Sequence, residues 1–281
     1  MSDPQTDVLI VEDEPVVKMA AERVLNRAGI TTDSTPEMET AIAKMRADTY
    51  KLILCDLKLP GASGFELFDH ARALASPPEI VMVTGYATLE NALESFQLGA
   101  FDFIPKPFDA RELLGVVRRA IRFRLASAAS GAFSPDTLVE EAARHDADVG
   151  VEGYELGRHS WARIDQDGTA TLGAAETFAG MLREIESIEF PAGAEHSVQG
   201  KTLVRILSHG GLMHRVWAPL SGQILATNQQ IEADPQVLDR DPLGAGWLAP
   251  VSYTHLRAHE TVTLISYAVF CLKSGGGGGG G

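Results

Sequence analysis

The stretch that decides the fold is Leu52 to Gly64, LILCDLKLPGASG, in which a short apolar run ends on an acidic residue, Asp56. A strand is expected over Lys51 to Cys55, with Asp56 at its carboxyl end. Working outward, the same alternation of short apolar runs and amphipathic stretches recurs five times. Further strands are expected at Asp7 to Val11, near Thr31 to Ser34, at Glu79 to Val83 and at Phe101 to Ile104. Val16, Ala20, Val24 and Met38, Ile42, Met45 recur at helical spacing and read as core positions, with Pro36 where a first helical turn tolerates it. Strands alternating with helices make an α/β fold, a doubly wound five-stranded parallel sheet covered by helices. Glu12 and Asp13 then follow the first strand, Asp56 the third, and Thr84 and Lys106 end the fourth and fifth, where open α/β sheets place their ligands.

Three acidic groups held together repel one another and raise each other's pKa, so Glu12, Asp13 and Asp56 make sense mainly around a hard cation, for which Mg²⁺ is the natural choice. Taken singly, an acidic pair after a strand is a solvated loop and a Lys-Pro pair a turn. Five such residues on four strand ends reverse that reading.

Bulk properties set the frame. The 281 residues allow two ordinary domains, and 45% hydrophobic content is that of a globular protein. The longest apolar runs, Val8 to Val11 and Ile80 to Val83, are far short of the roughly 20 residues a bilayer span needs, and the amino terminus lacks a secretory pattern. A cytoplasmic protein without membrane association is expected. Two cysteines, Cys55 and Cys271, provide neither a disulfide framework nor a zinc cluster, and Cys55 reads as a small buried hydrophobe. The net charge is -14: residues 1–125 hold 14 basic against 19 acidic groups, residues 126–250 hold 8 against 18, and the remainder 2 against 1. A second region this acidic repels phosphate backbones, so no nucleic-acid partner is expected.

The strings LIVEDEP (9–15), LILCDLKLPGASG (52–64), VMVTGYAT (81–88) and GAFDFIPKPF (99–108) resemble the response-regulator receiver family across residues 5–125. That resemblance implies a flavodoxin-like fold, Asp56 as phosphoacceptor, and a metal held by Glu12, Asp13, Asp56 and the backbone carbonyl of Lys58. It also implies a switch of Thr84, Lys106 and Phe103, with a cis peptide between Lys106 and Pro107. The chemistry suits these residues: a carboxylate attacks phosphorus, while a divalent cation and the Lys106 ammonium offset charge on the phosphoryl oxygens. A Thr84 hydroxyl can follow the phosphoryl group and open space for the Phe103 ring, a two-state element. The implied partner is a sensor histidine kinase or a phosphotransfer protein. No enzyme activity is expected beyond self-phosphorylation and autodephosphorylation. A phosphorylation-dependent homodimer through the last helix and strand stays open, because Arg118, Arg119, Arg122 and Arg124 read equally as a solvated helix face.

The receiver is expected to end at 125, followed by a small-residue linker from Ala126 over 126–152, with one short helix at Pro135 to Arg144. Residues 153–250 are expected to be mainly β and resemble the glycine-cleavage H protein, a lipoyl carrier with a barrel-sandwich hybrid fold. Tyr154, His159 and Trp161 stand like that family's opening residues, Pro219 to Gly222 like its Pro-Val-Ser-Gly, and Asn228, Asp234, Pro235, Gly246, Trp247 and Leu248 like its closing motif. The family's lipoyl lysine lies eight residues before that proline and follows a glutamate. Here the lysine position is Gly211 and the glutamate position Ser208, and Lys201 is the only lysine in 126–250. No lipoate is therefore expected. His209 and His214 read as solvated loop histidines more readily than as a metal pair, and Trp161, Trp217 and Trp247 as packing residues.

Val251 to Thr261 and Ile265 to Lys273, followed by seven glycines, resemble translated sequencing-adapter DNA. Residues 251–281 are accordingly expected to be disordered and outside a truncated H-like domain. The leading reading is a response regulator signalling through a non-lipoylated interaction module with an unknown protein partner. The alternatives are a receiver-regulated lipoate carrier of a glycine-cleavage-like complex, and a phosphate shuttle whose second domain is a scaffold.

Overall fold

A computed structural model describes residues 6–130, 153–165 and 168–252. The chain divides into two compact units: residues 1–131 joined by Met181–Glu184 and Ile206–His214, and the remainder.

In the first unit, β1 (Val8–Val11), α1 (Pro15–Arg27), β2 (Thr32–Thr35), α2 (Met38–Ala47) and β3 (Leu52–Cys55) are followed by α3 (Glu66–Arg72), β4 (Glu79–Thr84), α4 (Leu89–Gln97), β5 (Asp102–Pro105) and α5 (Ala110–Ser130). The strands form one parallel sheet in the order β2-β1-β3-β4-β5, with Val11 opposite Thr35 and Cys55, and Thr84 opposite Pro105. This is the flavodoxin-like doubly wound order, and its direction reverses between β1 and β3, which puts the crevice for a ligand beyond Val11 and Cys55. Every residue of β1, β3 and β4 is buried, as a parallel sheet covered on both faces requires. Val8, Ile10, Leu52, Leu54, Val81 and Leu113 belong to one core cluster.

Three expectations change. Val16 is 75% exposed and Ala20 lies outside; α1 buries Ala21 and Leu25 instead, one residue further round the helix. Pro36 precedes α2, whose cap is Glu37. The expected linker from Ala126 is still helix, because α5 continues to Ser130 and its alanines are the strongest helix formers. The remaining linker residues, 131–152, with the helix expected at Pro135 to Arg144, lie outside the described residues.

The C-terminal part is mostly strand: β6 (Gly153–Leu156), β7 (Ser160–Ile164), β8 (Thr169–Ala174), α6 (Glu176–Ala179), β9 (Ile185–Glu189), β10 (His196–Ser197), β11 (Thr202–Ser208), β12 (Leu212–Trp217), β13 (Gly222–Ile224), α7 (Gln229–Ala233), α8 (Val237–Arg240) and β14 (Ala249–Ser252). One sheet runs β10-β13-β14-β8-β7-β6 and a second β9-β11-β12. Gly173 pairs across the strands with Trp161, and a Cβ on it would lie 2.2 Å from the indole, so only glycine lets the ring lie flat on β8. The indole nitrogen donates to the Pro242 carbonyl at 3.3 Å. Buried Asn228 accepts from the Gln230 amide at the start of α7 and donates to the carbonyls of Ala245 and Trp247, which ties the closing motif together. Strand β14 crosses the boundary expected at 250: Val251 pairs with Ala170 and is fully buried, so Val251 and Ser252 belong to the sheet.

Candidate functional site

At the carboxyl ends of β1 and β3, three carboxylate oxygens converge on Lys106. Its ammonium lies 2.7 Å from Asp56 Oδ2, 2.7 Å from Glu12 Oε2 and 3.0 Å from Glu14 Oε1. The loop after β5 holds it there: the Lys106 amide donates to the Thr84 carbonyl at 2.8 Å, and the Lys106–Pro107 peptide is cis. Asp56 is fixed from two sides. Its amide donates to the Val11 carbonyl at 2.9 Å, and its Oδ1 accepts from the Lys58 amide at 3.1 Å. Glu12 accepts from the Glu14 amide at 3.1 Å. Burial pushes the Glu12 carboxyl above its usual range, an effect the bonds from Lys106 and Glu14 only partly offset. Burial would depress the Lys106 ammonium, yet the bonds to Asp56, Glu12 and Glu14 outweigh it and hold the amine well above its ordinary value.

Ligand atoms of Glu12, Asp13 and Asp56 all lie within 4.8 Å of one another, the only such cluster among the described residues. Three carboxylates against one ammonium leave the notch negative, and all the offered donors are oxygens, which fits a hard divalent cation. Thr84, fully buried, ends β4, and its Oγ1 accepts from the Tyr86 amide at 3.1 Å. Phe103 is buried in β5. Of Lys58 the structure brings the amide to Asp56, while its ammonium lies 3.5 Å from the Tyr86 ring centroid. Cys55 is buried, and burial together with Asp56 and Glu12 pushes its thiol well up.

Two positions in the quoted strings were given no part by the sequence reading. Glu14 is the third carboxylate on Lys106. Gly64 donates its amide to the Leu57 carbonyl at 2.8 Å, and a Cβ on it would meet the Asp56 carbonyl oxygen at 2.3 Å. A glycine after a strand-end acidic residue was the available signal, but glycine there reads first as a turn.

In the C-terminal part, Gly211 stands at the turn between β11 and β12, with φ of 71°, after Gly210 at 79°. A Cβ at either position would meet nothing within 4 Å, so the tip is open. The two histidines part company. His209 is exposed and its Nδ1 lies 3.0 Å from Glu184 Oε2, whereas His214 is fully buried with Nε2 2.9 Å from Ser208 Oγ. The reading of His214 as a solvated loop histidine is therefore corrected, and that of Arg119 as part of a solvated face likewise: Arg119 is 1% exposed and paired with Asp102. Trp161 and Trp217 are buried packing residues.

Residues 8–118 match the family model described as response regulator receiver domain, and the acidic notch falls inside that match. Residues 154–270 match the model described as glycine cleavage H-protein, running past the boundary expected at 250. The chain therefore carries a response regulator receiver domain and, in its C-terminal part, a glycine cleavage H-protein domain. The C4-dicarboxylate transport transcriptional regulatory protein DctD of Pseudomonas aeruginosa is 32% identical over 125 residues, 43% of this chain and 26% of that protein. The DNA-binding transcriptional regulator NtrC of Salmonella typhimurium is 31% identical over 114 residues, 41% of this chain and 24% of that protein. The chain thus spans about a quarter of the length of these curated relatives. Among solved structures, a CheY-like receiver domain protein from Methanospirillum hungatei is 30% identical, with 44% of this chain and 99% of that chain covered and a TM-score of 0.42.

Proposed function

We propose that this chain is a two-component response regulator in which Asp56 accepts a phosphoryl group from a histidine kinase or a phosphotransfer protein. One observation carries the reading: the Lys106 ammonium lies 2.7 Å from Asp56 Oδ2, inside an all-oxygen notch within the receiver match. The Lys58 amide on Asp56 Oδ1 orients the carboxylate, leaving an oxygen to attack phosphorus as the donor's bond to it breaks. Lys106 meets charge developing on the phosphoryl oxygens, and the Thr84 hydroxyl, at the end of the neighbouring strand, donates a hydrogen bond to an oxygen of the transferred phosphoryl group. Glu12, Asp13, Asp56 and the Lys58 carbonyl would hold Mg²⁺, which neutralises phosphoryl charge when bound. Phe103 and Thr84 then report the modification through β4 and β5.

The H-like domain is read as a non-lipoylated interaction module in a cytoplasmic protein. Support comes from Gly211 and Gly210 at the open turn, where the carrier's amine would have to stand. No helix among the described residues is long and apolar enough to cross a membrane. The test is incubation of the full chain with acetyl phosphate and Mg²⁺, followed by intact mass. One phosphate is expected on the wild type and none on Asp56→Asn; an unmodified wild type would sink the reading, and a lipoyl adduct would replace the interaction module by a carrier.

A further inference from the structure

The first compact unit contains a segment that the sequence reading gave wholly to the second domain. Ile206–His214, comprising the end of β11, its turn and the start of β12, gathers with the receiver residues. The reason is visible on α5. Gly115 lies in the helix interior, where glycine is less stable than alanine, so its presence asks for a cause. A Cβ there would lie 2.4 Å from the Met213 carbonyl oxygen and 3.2 Å from the His214 ring. Hairpin backbone occupies the space a side chain would take.

One turn further along the same helix face stands Arg119. It is 1% exposed, ion-paired with Asp102, and its guanidinium carbon lies 5.2 Å from the Phe101 ring centroid. His214 is fully buried beside the charges of Arg119, Asp102 and Arg122, and its second ring nitrogen is bonded to Ser208 Oγ. Ser208 and His214 thus form a buried base, while Gly210 and Gly211 leave the tip open.

Asp102 opens β5, and the residue after that strand is Lys106, the partner of Asp56. One strand therefore carries both the ion pair under the hairpin and the lysine of the acidic notch. A phosphoryl group on Asp56 would compete with Glu12 and Glu14 for that ammonium and re-seat β5. A contact too tight for a methyl group has little slack to follow such a shift.

We propose that the α5 face around Gly115 and Arg119 is an interaction surface for the chain's own Ile206–His214 hairpin, and that phosphorylation of Asp56 loosens it. The second half rests on the response-regulator reading; the first stands on the geometry alone.

Hydrogen exchange on the full chain, read by mass spectrometry, tests both halves. In Gly115→Ala the amides of 206–214 should exchange about tenfold faster, a typical coupling between two states. The His214 imidazole, followed by NMR, should move from a midpoint of about 3 toward its ordinary 6.5. Were α5 uncovered there, alanine would only strengthen the helix and neither readout would move, which overturns the docking. Acetyl phosphate with Mg²⁺ should speed the same amides in the wild type and not in Asp56→Asn. A wild type that gains phosphate by intact mass but keeps its exchange pattern overturns the coupling and spares the proposed function. A wild type that gains none overturns the coupling and the proposed function together.

Discussion

Lys106 and Gly64 make the acidic notch work by opposite means, one by charge and one by having no side chain. The Lys106 ammonium satisfies three carboxylates at 3.0 Å or less, so the buried negative charge of Glu12 and Asp56 is paired even before a cation enters. Gly64 lets the loop after β3 pass against the Asp56 carbonyl, where a Cβ would lie at 2.3 Å from backbone that cannot swing away. Gly64→Ala should therefore cost about 1–3 kcal/mol of stability by overpacking and slow phosphate gain at Asp56, since the backbone of that residue must shift. Urea denaturation and a time course of intact mass check it; a variant as stable and as fast as the wild type would show that the loop has slack.

At the scale of elements, α1 shows how a helix chooses its face. Apolar residues stand at helical spacing on two neighbouring faces, and the sheet takes the one with Ala21 and Leu25. Leu25→Ala should cost about 2–5 kcal/mol, as deletion of a buried leucine does. Val16→Ser, at a residue 75% exposed, should stay within about 0.5 kcal/mol. Equal losses in thermal melts would mean that the helix is turned by one residue. The same logic of tight approach governs β7 and β8, where the Trp161 ring needs a bare Gly173.

Over the whole molecule, stability should respond to divalent cations and to pH through separate groups. Mg²⁺ at ten times its Kd should stabilise the chain by about 1.4 kcal/mol, seen as a rise in Tm that Asp13→Asn diminishes. For His214, burial first and Arg119 second hold the folded pKa down at about 3, against 6.5 for the free side chain. Above pH 6.5 both states are neutral and the group contributes nothing. Below it the unfolded chain takes up the proton first, so stability falls toward pH 3 by about 1.4 kcal/mol per pH unit. Asp7 and Asp33 add a loss only below their ordinary 3.8, because their bonds to Lys51 and Lys44 overcome burial and hold them lower in the fold. His214→Gln should flatten the dependence between pH 6.5 and 4 while leaving the steeper acid limb; an unchanged profile would place the buried charge cost elsewhere.

What the sequence determined alone was whatever is periodic or sits at the end of a period. The strands β1, β3 and β4 were legible to within a residue at their ends, because a strand covered on both faces is almost wholly apolar, and the acidic trio followed from where such runs stop. The altered hairpin was legible too, since a count back from Pro219 needs no coordinates. Burial was not. Arg119 read as solvated until Asp102 of β5 met it, and His214 until α5 came within contact at Gly115, a residue about a hundred positions away. The end of α5 and the reach of β14 past residue 250 were likewise decided by neighbours in space. Periodicity is a local property of a chain, whereas desolvation is created by residues far along it, and only the tertiary structure brings those together.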